Sequence, residues 1–595
     1  KADLANIFLE RLFKTSIQSG IISCVIPQNW LFLTSYKKHR ENLLRSKSWN
    51  FIARLGSGAF SQISGEVVKA ILISISNQKP DPEHFFTGLD VSEALNAVAK
   101  DSMLKTKEIN KANQKEQLSN PDSVVSIEKI EQLYLLGNYC NSLSGIDTGD
   151  SNRFKFKFFE LPFITREWIF QLNSFEATKK YTGREHILLW EDGNGKLLEV
   201  PGASIRNVKF WGQKGVYVLR MSNAPSTISF GEAWDRNGAM LIPLNEEYLT
   251  PIWEYSQSSE FRKNLRKLNQ KLSISEATFP RINFDLSYWQ KIAADEYPNG
   301  LPKPYSDDPT QWLFHGHPIK TDNPLQVVIA RILGYRWPAE NDPEMELAEQ
   351  ARELIGSIKA YDHLSDEDGI FCIPSVNAEP AGAERLREYL MEVFTEDWDN
   401  LTIGKLLNKE GALSMNLEEW LRKEFFIQHC KVFQNRPFIW HIWDGRNDGF
   451  SALVNYHKLN KENLSKLIYT YLGDWIRMCE AKKKAGESGA EGLLSAAQKL
   501  KEKLELILEG EAPYDIFVRW KPLELQPLGW DPDLNDGVRL NIRPFMEAGV
   551  LRKNPNIKLG IDRGKNPPGS PWGEIRDNDK HLRLEEKRAS RLKIK

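Results

Sequence analysis

A run of small residues that ends in an aromatic side chain spans Leu55 to Phe60 (LGSGAF). Backbone N–H groups of such a run can hold phosphate groups, as in the glycine-rich loop of kinases, and Val67 and Lys69 follow it. Kinase chemistry also needs an HRD catalytic loop and a DFG metal-binding element, and the sequence contains neither. The acidic runs at Asp366–Gly369 and Asp444-Gly445 are typical of turns. The glycine-rich run alone is therefore weak evidence for phosphate transfer.

Two histidines, His315 and His317, are separated by one glycine in a proline-containing stretch. Imidazole is a common zinc ligand, but a zinc site needs further ligands, and no CxxC or HExxH pattern lies nearby. The five cysteines are scattered without a CxxC pair, which also argues against a disulfide framework and fits a reducing cytoplasm. We predict a structural turn at the two histidines and no metal site.

The composition indicates a folded protein of several domains. The chain has 595 residues, of which 41% are hydrophobic and 11% aromatic, and this length is too great for one core. The apolar stretch from Gly20 to Leu33 is interrupted by polar residues and is shorter than the roughly 20 residues of a membrane span. We therefore expect a cytoplasmic protein without a membrane span. The formal net charge is −1, so any basic surface must be local, as in the tail from Arg552, with 13 Lys or Arg and 6 Asp or Glu.

Helical and strand patterns alternate over the first 78 residues. Leu4, Ile7, Phe8 and Leu12 recur at helical spacing, and an apolar strand pattern follows Gly20. A basic helix over residues 35–45 and two further strands, near 51–55 and 67–75, complete the alternation. This pattern predicts an α/β sheet.

The order of these elements resembles the second half of the methylase domain in large adenine-specific DNA methyltransferases. The family comprises type IIG restriction-modification enzymes and their BREX (PglX-like) and DISARM relatives. The segments that carry the resemblance are Asp3–Arg11, Gly20–Leu31, Tyr36–Arg40, Arg54–Phe60 and Gly65–Ile73. The resemblance implies the C-terminal half of a Rossmann-like methyltransferase sheet, followed by a mostly β target-recognition module and α-rich C-terminal domains.

The resemblance also implies a chemistry. Such enzymes flip the target adenine out of the duplex, stack it on aromatic side chains and methylate its amino group from S-adenosylmethionine. Phe60 falls where this family has an aromatic residue against the flipped base, although a core phenylalanine at a strand end is an equally good interpretation. The glycine-rich cofactor turn and the Asn/Asp-Pro-Pro-aromatic loop normally precede the segment that opens this chain. We therefore expect a C-terminal portion that is inactive alone, with cofactor-binding residues that the sequence leaves unknown.

One later segment, Asn566-Pro567-Pro568-Gly569, spells most of that acceptor loop. It lacks the stacking aromatic residue, follows no apolar strand and lies in the basic tail. We predict that it is not catalytic.

Downstream similarity to the same family includes Phe163–Gly195, Trp211–Met221 and Ile228–Pro243, where target recognition is expected. Reading DNA needs cations for phosphates and polar or aromatic groups for bases. Any one cation is more often an ordinary solvated side chain, but the group as a whole suggests a DNA surface. The predicted DNA contacts in this part are Arg166, Lys179, Lys180, Tyr181, Arg184, Lys209 and Lys214, with Arg206, Trp190 and Trp211 interleaved among them.

A predicted helix over residues 258–272 carries cations at three- and four-residue spacing, so they line one side. The cations are Arg262, Lys263, Arg266, Lys267 and Lys271. A helix that follows a phosphate backbone has this pattern, and so does an ordinary solvated helix. We include Arg262, Lys263, Arg266 and Lys267 among the predicted DNA contacts.

The resulting domain prediction has six parts. Residues 1–78 are the end of the methyltransferase domain, 79–150 a helical connector or insertion, 151–275 the target-recognition domain, 276–460 a mixed α/β region, 461–510 a helical hairpin and 511–595 a C-terminal region with a basic tail. The predicted function is an S-adenosylmethionine-dependent, adenine-specific DNA methyltransferase of a restriction-modification or phage-defence system, with double-stranded DNA and other defence subunits as partners. The alternative is a non-catalytic DNA-binding specificity module that recruits another enzyme.

Overall fold

The computed structural model describes residues 3–60, 69–127, 134–221, 223–269, 273–395, 398, 402–558 and 581–592. Over these residues the fold is mixed α/β, with four sheets and many helices, which confirms the predicted α/β class. None of the helices described is both long enough and apolar enough to cross a membrane.

The first sheet has five strands in the order β1-β3-β2-β4-β5. The strands are β1 (Ile21–Pro27), β2 (Ser48–Gly56), β3 (Ala70–Ser76), β4 (Phe85–Asp90) and β5 (Asn110–Asn113), and the helices beside them are α1 (Leu4–Thr15), α2 (Lys37–Ser46) and α3 (Ala97–Thr106). β3 lies between β1 and β2 and is antiparallel to both, with Ile73 opposite Cys24 and Ile52. β2 and β4 run parallel, so their carboxyl ends meet at the same edge of the sheet.

The prediction of a helical connector over residues 79–150 is wrong in its secondary structure. β4 and β5 lie in this range and extend the first sheet beyond residue 78, and a further strand, β6 (Cys140–Ser144), joins the next sheet. The sequence hides β5 in particular, because the stability of this strand comes from pairing rather than from apolar alternation. In β5, which reads Asn-Lys-Ala-Asn, Ala112 is the buried residue.

The mostly β module that the sequence predicts consists of two four-stranded sheets, ordered β11-β10-β13-β6 and β12-β8-β9-β7. Its further strands are β7 (Lys155–Lys157), β8 (Trp168–Leu172), β9 (His186–Leu189), β10 (Gly215–Leu219), β11 (Ser226–Ser229), β12 (Ala233–Trp234) and β13 (Gly238–Pro243). A short helix, α4 (Ser151–Phe154), precedes β7.

Two helices separated by a break follow this module, α5 (Leu249–Gln257) and α6 (Ser259–Leu268), and α6 lies within the range 258–272 for which a helix is predicted. The break occurs at Ser258, whose extended backbone ends α5 and whose hydroxyl caps α6 by accepting a hydrogen bond from the Phe261 N–H at 3.0 Å. Lys271 lies outside the described residues.

The rest of the chain is mainly helical around a three-stranded sheet in the order β14-β16-β15. The strands are β14 (Ile370–Cys372), β15 (Ile439–Trp443) and β16 (Ser451–Asn455). The helices are α7 (Leu286–Glu296), α8 (Pro324–Ile332), α9 (Pro338–Asn341), α10 (Glu349–Ile358), α11 (Gly382–Val393), α12 (Thr402–Lys409), α13 (Leu417–Lys423), α14 (Phe425–Val432), α15 (Lys461–Lys466), α16 (Leu472–Lys484), α17 (Ala490–Glu509), α18 (Val538–Asn541), α19 (Arg543–Ala548) and α20 (Leu584–Leu592).

Two glycine-containing turns in this part connect elements that pair or pack together. β15 and β16 form an antiparallel hairpin around the Asp444–Gly449 turn. The helices α16 and α17 pack together across the turn at Gly486–Gly489, where both glycines have positive φ.

Two large apolar clusters form most of the core. One joins α1, α2 and the first sheet to β10, β13 and α5–α7, and includes Trp30, Trp49 and Trp253. The other runs from the sheet that contains β8 through the helical region to the C-terminal part, and includes Trp337 and Trp530. The predicted parts 151–275, 276–460, 461–510 and 511–595 all contribute residues to this second cluster.

A buried ion pair lies within the second cluster. The fully buried guanidinium of Arg331 donates to both oxygens of Glu340 at 2.9 Å, and to Asp362 at 3.0 Å. It also donates to the Gly316 carbonyl oxygen at 3.3 Å. The buried pair therefore contacts the segment that contains His315 and His317. Removing one partner of such a pair leaves a buried charge without compensation.

We therefore expect Arg331→Met to lower the free energy of unfolding by about 3–5 kcal/mol. Urea unfolding followed by tryptophan fluorescence measures this loss. Arg477→Met is the matched control, because Arg477 pairs with Asp474 on an exposed helix face, and it should change stability by less than about 1 kcal/mol. Equal stability of the two variants would contradict a structural role for the buried pair.

Candidate nucleic-acid interface

Phe60 lies at the carboxyl edge of the parallel strands β2 and β4. Its loop leaves β2 through Gly56 and Gly58, whose φ angles are +68° and +72°. A Cβ atom at Gly58 would stand 2.5 Å from the Leu95 carbonyl oxygen, and one at Gly56 would stand 2.7 Å from Ser92 Cβ. The two loops at this edge can therefore pack directly on each other only because both positions are glycine.

The Phe60 side chain is 42% exposed and does not belong to the apolar clusters of the described residues. The core interpretation of Phe60 is therefore wrong for the part of the chain that the structure describes. An aromatic ring exposed beside the carboxyl ends of parallel strands is at the position where open α/β sheets bind ligands.

Two exposed apolar residues, Leu95 and Val98, lie on the segment against which the Phe60 loop packs. Their exposed fractions are 90% and 81%. Sequence reasoning missed them because it treated this range as a connector. The sequence contains a signal for them, because the aliphatic residues Leu95 and Val98 lie on either side of the helix-capping residue Asn96, where polar residues are usual. Aliphatic side chains of this kind can insert between base steps of DNA.

A large apolar face is exposed on the opposite flank of the first sheet. It consists of α1 and the edge strand β1, and its exposed apolar side chains are Leu4, Ile7, Phe8, Leu12, Ile17, Ile21 and Val25. Exposed apolar patches of this kind are typical of surfaces that another protein segment covers.

Lys180 and Arg262 are each linked to α5, Lys180 through Tyr297 and Arg262 directly. The Lys180 ammonium lies 5.1 Å from the centre of the Tyr297 ring, and the Tyr297 hydroxyl accepts a hydrogen bond from Trp253 Nε1 of α5 at 3.3 Å. Arg262 donates to the carbonyl oxygen of Gln257, the last residue of α5, at 3.1 Å. We call the surface of Lys179, Lys180, Arg262 and Lys263 the α5-end surface.

On α6 the apolar side chains Phe261, Leu265 and Leu268 face the core, which leaves the cations on the outer sides of the helix. Lys263 is exposed, whereas Arg266 and Lys267 are half-buried. Lys179, beside Lys180, is also exposed.

The prediction of a DNA contact by Arg184 is wrong. Its side chain is fully buried and donates to Glu232 at 3.0 Å and to the Ile228 carbonyl oxygen at 2.6 Å. A guanidinium committed in this way cannot reach a phosphate, so Arg184 has a structural role.

Two further predicted contacts already have partners within the protein. The Tyr181 hydroxyl donates to the Pro302 carbonyl oxygen, and its ring packs near Phe230. Lys214 pairs with Glu346 at 3.1 Å, and both side chains are partly exposed. Burial raises the pKa of Tyr181 to about 12, so this hydroxyl stays protonated at neutral pH.

Arg166 and Lys209 are also exposed. Arg166 lines a cleft with Trp211. The Lys209 ammonium lies 5.2 Å from the centre of the Phe210 ring. The Asn566–Gly569 segment lies outside the described residues.

Two curated relatives are similar to almost the whole chain. Adenine-specific methyltransferase PglX of Lacticaseibacillus casei (strain Zhang) is 22% identical over 670 residues, which cover 91% of this chain and 54% of PglX. Adenine-specific methyltransferase BrxX of Escherichia coli O9:H4 (strain HS) is 21% identical over 684 residues, which cover 92% of this chain and 54% of BrxX. The resemblance to large adenine-specific methyltransferases is confirmed.

The chain spans about half the length of PglX and BrxX (54%). No protein-family model matches it. Among solved structures, the type IIL restriction-modification enzyme MmeI in complex with DNA covers 69% of this chain and 52% of its own, at 10% identity and a TM-score of 0.29. The type ISP enzyme LlaGI with a DNA substrate mimic covers 51% of this chain and 31% of its own, at 12% identity and a TM-score of 0.30. TM-scores at this level do not establish a common fold.

The two histidines His315 and His317 form a buried turn. His315 Nδ1 accepts a hydrogen bond from the His317 N–H at 3.0 Å, and His317 Nδ1 accepts one from the Ile319 N–H at 3.2 Å. Burial lowers the pKa of each imidazole to about 4, so both are neutral acceptors at neutral pH. Among the described residues, no group of three or more His, Cys, Asp or Glu side chains could hold a metal ion.

These pKa values predict a dependence of stability on pH. An imidazole with a pKa of about 4 in the folded state and roughly 6.5 when unfolded stabilises the fold fully above pH 6.5. That stability is lost as the pH falls from 6.5 towards 4, because unfolding then takes up protons. Replacing both histidines by asparagine keeps an oxygen that accepts the same backbone N–H groups but does not titrate.

We expect His315→Asn with His317→Asn to reduce the slope of unfolding free energy against pH, near pH 5, by about 2 kcal/mol per pH unit. Urea unfolding at several pH values measures the slope. His363→Asn is the control, since His363 is exposed. A slope that stays the same in the double variant would show that the two imidazoles titrate normally.

Proposed function

We propose that this chain forms the DNA-reading part of an adenine-specific DNA methyltransferase in a restriction-modification or phage-defence system. The observation that carries the proposal is similarity to PglX and BrxX along 91% and 92% of the chain. Both relatives are named adenine-specific methyltransferases. The site geometry supports separate roles for the first sheet and the β-rich module.

In this proposal the carboxyl edge of β2 and β4 receives the flipped adenine. The exposed Phe60 ring stacks on the base, as aromatic side chains do in enzymes that act on extruded bases. Leu95 and Val98, on the segment packed against the Phe60 loop, contact the duplex where the base has left the stack.

The α5-end surface contacts the phosphate backbone. Lys179, Lys180 and Lys263 are exposed, and Lys180 and Arg262 are linked to α5 through Tyr297 and Gln257. Cations on a rigid element supply sequence-independent affinity that falls as salt rises.

The cofactor belongs to another part of the enzyme. The chain's described residues contain no strand followed by a glycine-rich turn into a helix, so they do not fit a site for S-adenosylmethionine. The apolar face on α1 and β1 supports docking of the cofactor-binding half against the edge of the first sheet. The same face disfavours a free-standing DNA-binding module.

The α5-end surface gives the first test. Lys180→Glu with Lys263→Glu should weaken binding of duplex DNA and reduce the slope of log affinity against log salt by about 2, since each lost phosphate contact removes about one released counterion. Fluorescence anisotropy of a labelled duplex over a range of salt concentrations measures both effects. The control is Lys499→Glu, an exposed lysine on α17. Duplex affinity that is independent of salt, or equal in both variants, would count against the proposed DNA surface.

Phe60 gives the second test, in the enzyme assembled with its cofactor-binding half. Phe60→Ala should lower methylation about ten-fold or more and reduce the fluorescence of 2-aminopurine at the target position, because one base–aromatic stack is lost. Duplex affinity should stay nearly unchanged, and Phe60→Trp should retain most of the activity. Phe85→Ala removes another exposed phenylalanine of the first sheet and serves as control. Normal turnover in Phe60→Ala would reduce Phe60 to a surface residue.

A further inference from the structure

A second aromatic site lies in the β-rich module, apart from Phe60. It is a cleft of about 710 Å³ between the segment that leads into β8, the Trp211 side chain and the short helix α9. The side chains of Phe163, Trp168, Phe170 and Trp211 all line it. Phe163 is 61% exposed, so one ring of the cleft is open to solvent.

Three of these rings are fixed by neighbours outside the cleft. Phe170 stacks on Trp312, with ring centres 4.5 Å apart, and Trp211 meets Trp190 edge-on at 4.9 Å. Trp168 donates from Nε1 to Asn535 Oδ1 at 2.9 Å. Rings that are already immobile lose little conformational entropy when a ligand binds.

The lining of the cleft offers one cation for a phosphate. Arg166 is exposed in the lining, and the structure gives it no ion pair among the described residues. Two acids also line the cleft. Glu232 is paired with Arg184 at 2.9 Å, and Asp342 accepts the backbone N–H of Glu344 at 2.9 Å.

We propose that this cleft binds one unpaired nucleotide of DNA, with its base against the aromatic rings and its phosphate at Arg166. Aromatic side chains stack on any base, whereas a guanidinium binds the phosphate oxygens. A paired base is sequestered in the duplex stack, so the ligand must be single-stranded or extruded. This inference rests on the proposed DNA-reading function and adds a second nucleotide site to it.

The test uses the purified chain and three probes that contain 2-aminopurine. The probes are a short single strand, a duplex with the analogue in a one-base bulge, and the free 2-aminopurine deoxynucleoside monophosphate. The single strand and the bulge should give a saturable fluorescence change that unlabelled single-stranded DNA competes away. Free monophosphate should bind at least about ten-fold more weakly, because it lacks the neighbouring phosphates.

Phe163→Ala and Arg166→Gln should each weaken binding of the single strand about ten-fold, the loss typical of one base stack or one phosphate contact. Both side chains are exposed, so the variants should keep the wild-type circular dichroism spectrum. Tyr288→Ala and Arg477→Gln, also exposed, are the matched controls and should bind normally.

Three results would overturn the inference. They are unchanged affinity in both cleft variants, no response from either DNA probe, and equal affinity for the free monophosphate, which would make this a site for a small nucleotide. Binding of the unmodified duplex by the same variants distinguishes a wrong assignment of the cleft from a wrong assignment of DNA reading to this chain. In the proposal duplex affinity depends on the α5-end surface and not on Phe163.

Discussion

The buried contact of Arg184 with Glu232 determines how the β-rich module is assembled. Arg184 leads into β9 of one sheet, and its guanidinium donates to the Ile228 carbonyl oxygen in β11 of the other. Its own carbonyl oxygen accepts a hydrogen bond from the Trp312 N–H at 3.0 Å. One residue therefore joins the two sheets and the segment that follows α7, and its buried charge without this pairing would be costly.

The loop of Lys180 and the aromatic cleft both adjoin this contact. Lys180 and the Tyr181 ring precede Arg184 in the same loop, and Tyr181 reaches Pro302 across the sheet junction. On the other side, Glu232 lines the aromatic cleft while Trp312 supports Phe170 within it. The buried ion pair thus contacts both the loop that carries the exposed Lys180, which precedes Arg184, and the aromatic cleft, which Glu232 lines. Buried charges specify such an arrangement more strongly than apolar contacts, which tolerate small shifts.

Sequence patterns were sufficient for elements whose signal is local. The hairpin of β15 and β16 and the turn between α16 and α17 follow from glycine-containing turns between regular patterns. Strand β4 has a signal that is partly local, but β5 has none, because its residues are polar and its pairing partner lies more than twenty positions earlier. The resemblance located Phe60, yet its exposure depends on the packing of the Gly56 and Gly58 loop against the Leu95 segment, which is non-local.

The spacing of Lys and Arg residues in the sequence predicts a DNA surface less well than their ion pairs with acidic side chains in the fold. Arg184 is a cation in the same stretch of sequence as Lys179 and Lys180. Its partner Glu232 is more than forty positions away in sequence, so their contact appears only in the fold. The same holds for Lys214 and Glu346. A chain with a net charge of −1 can contact phosphates only through cations that its own acids leave exposed. Arg184 and Lys214 do not meet that condition, whereas Lys179, Lys180, Lys209, Lys263 and Arg166 are exposed and meet it. The overall charge gives no sign of these cations.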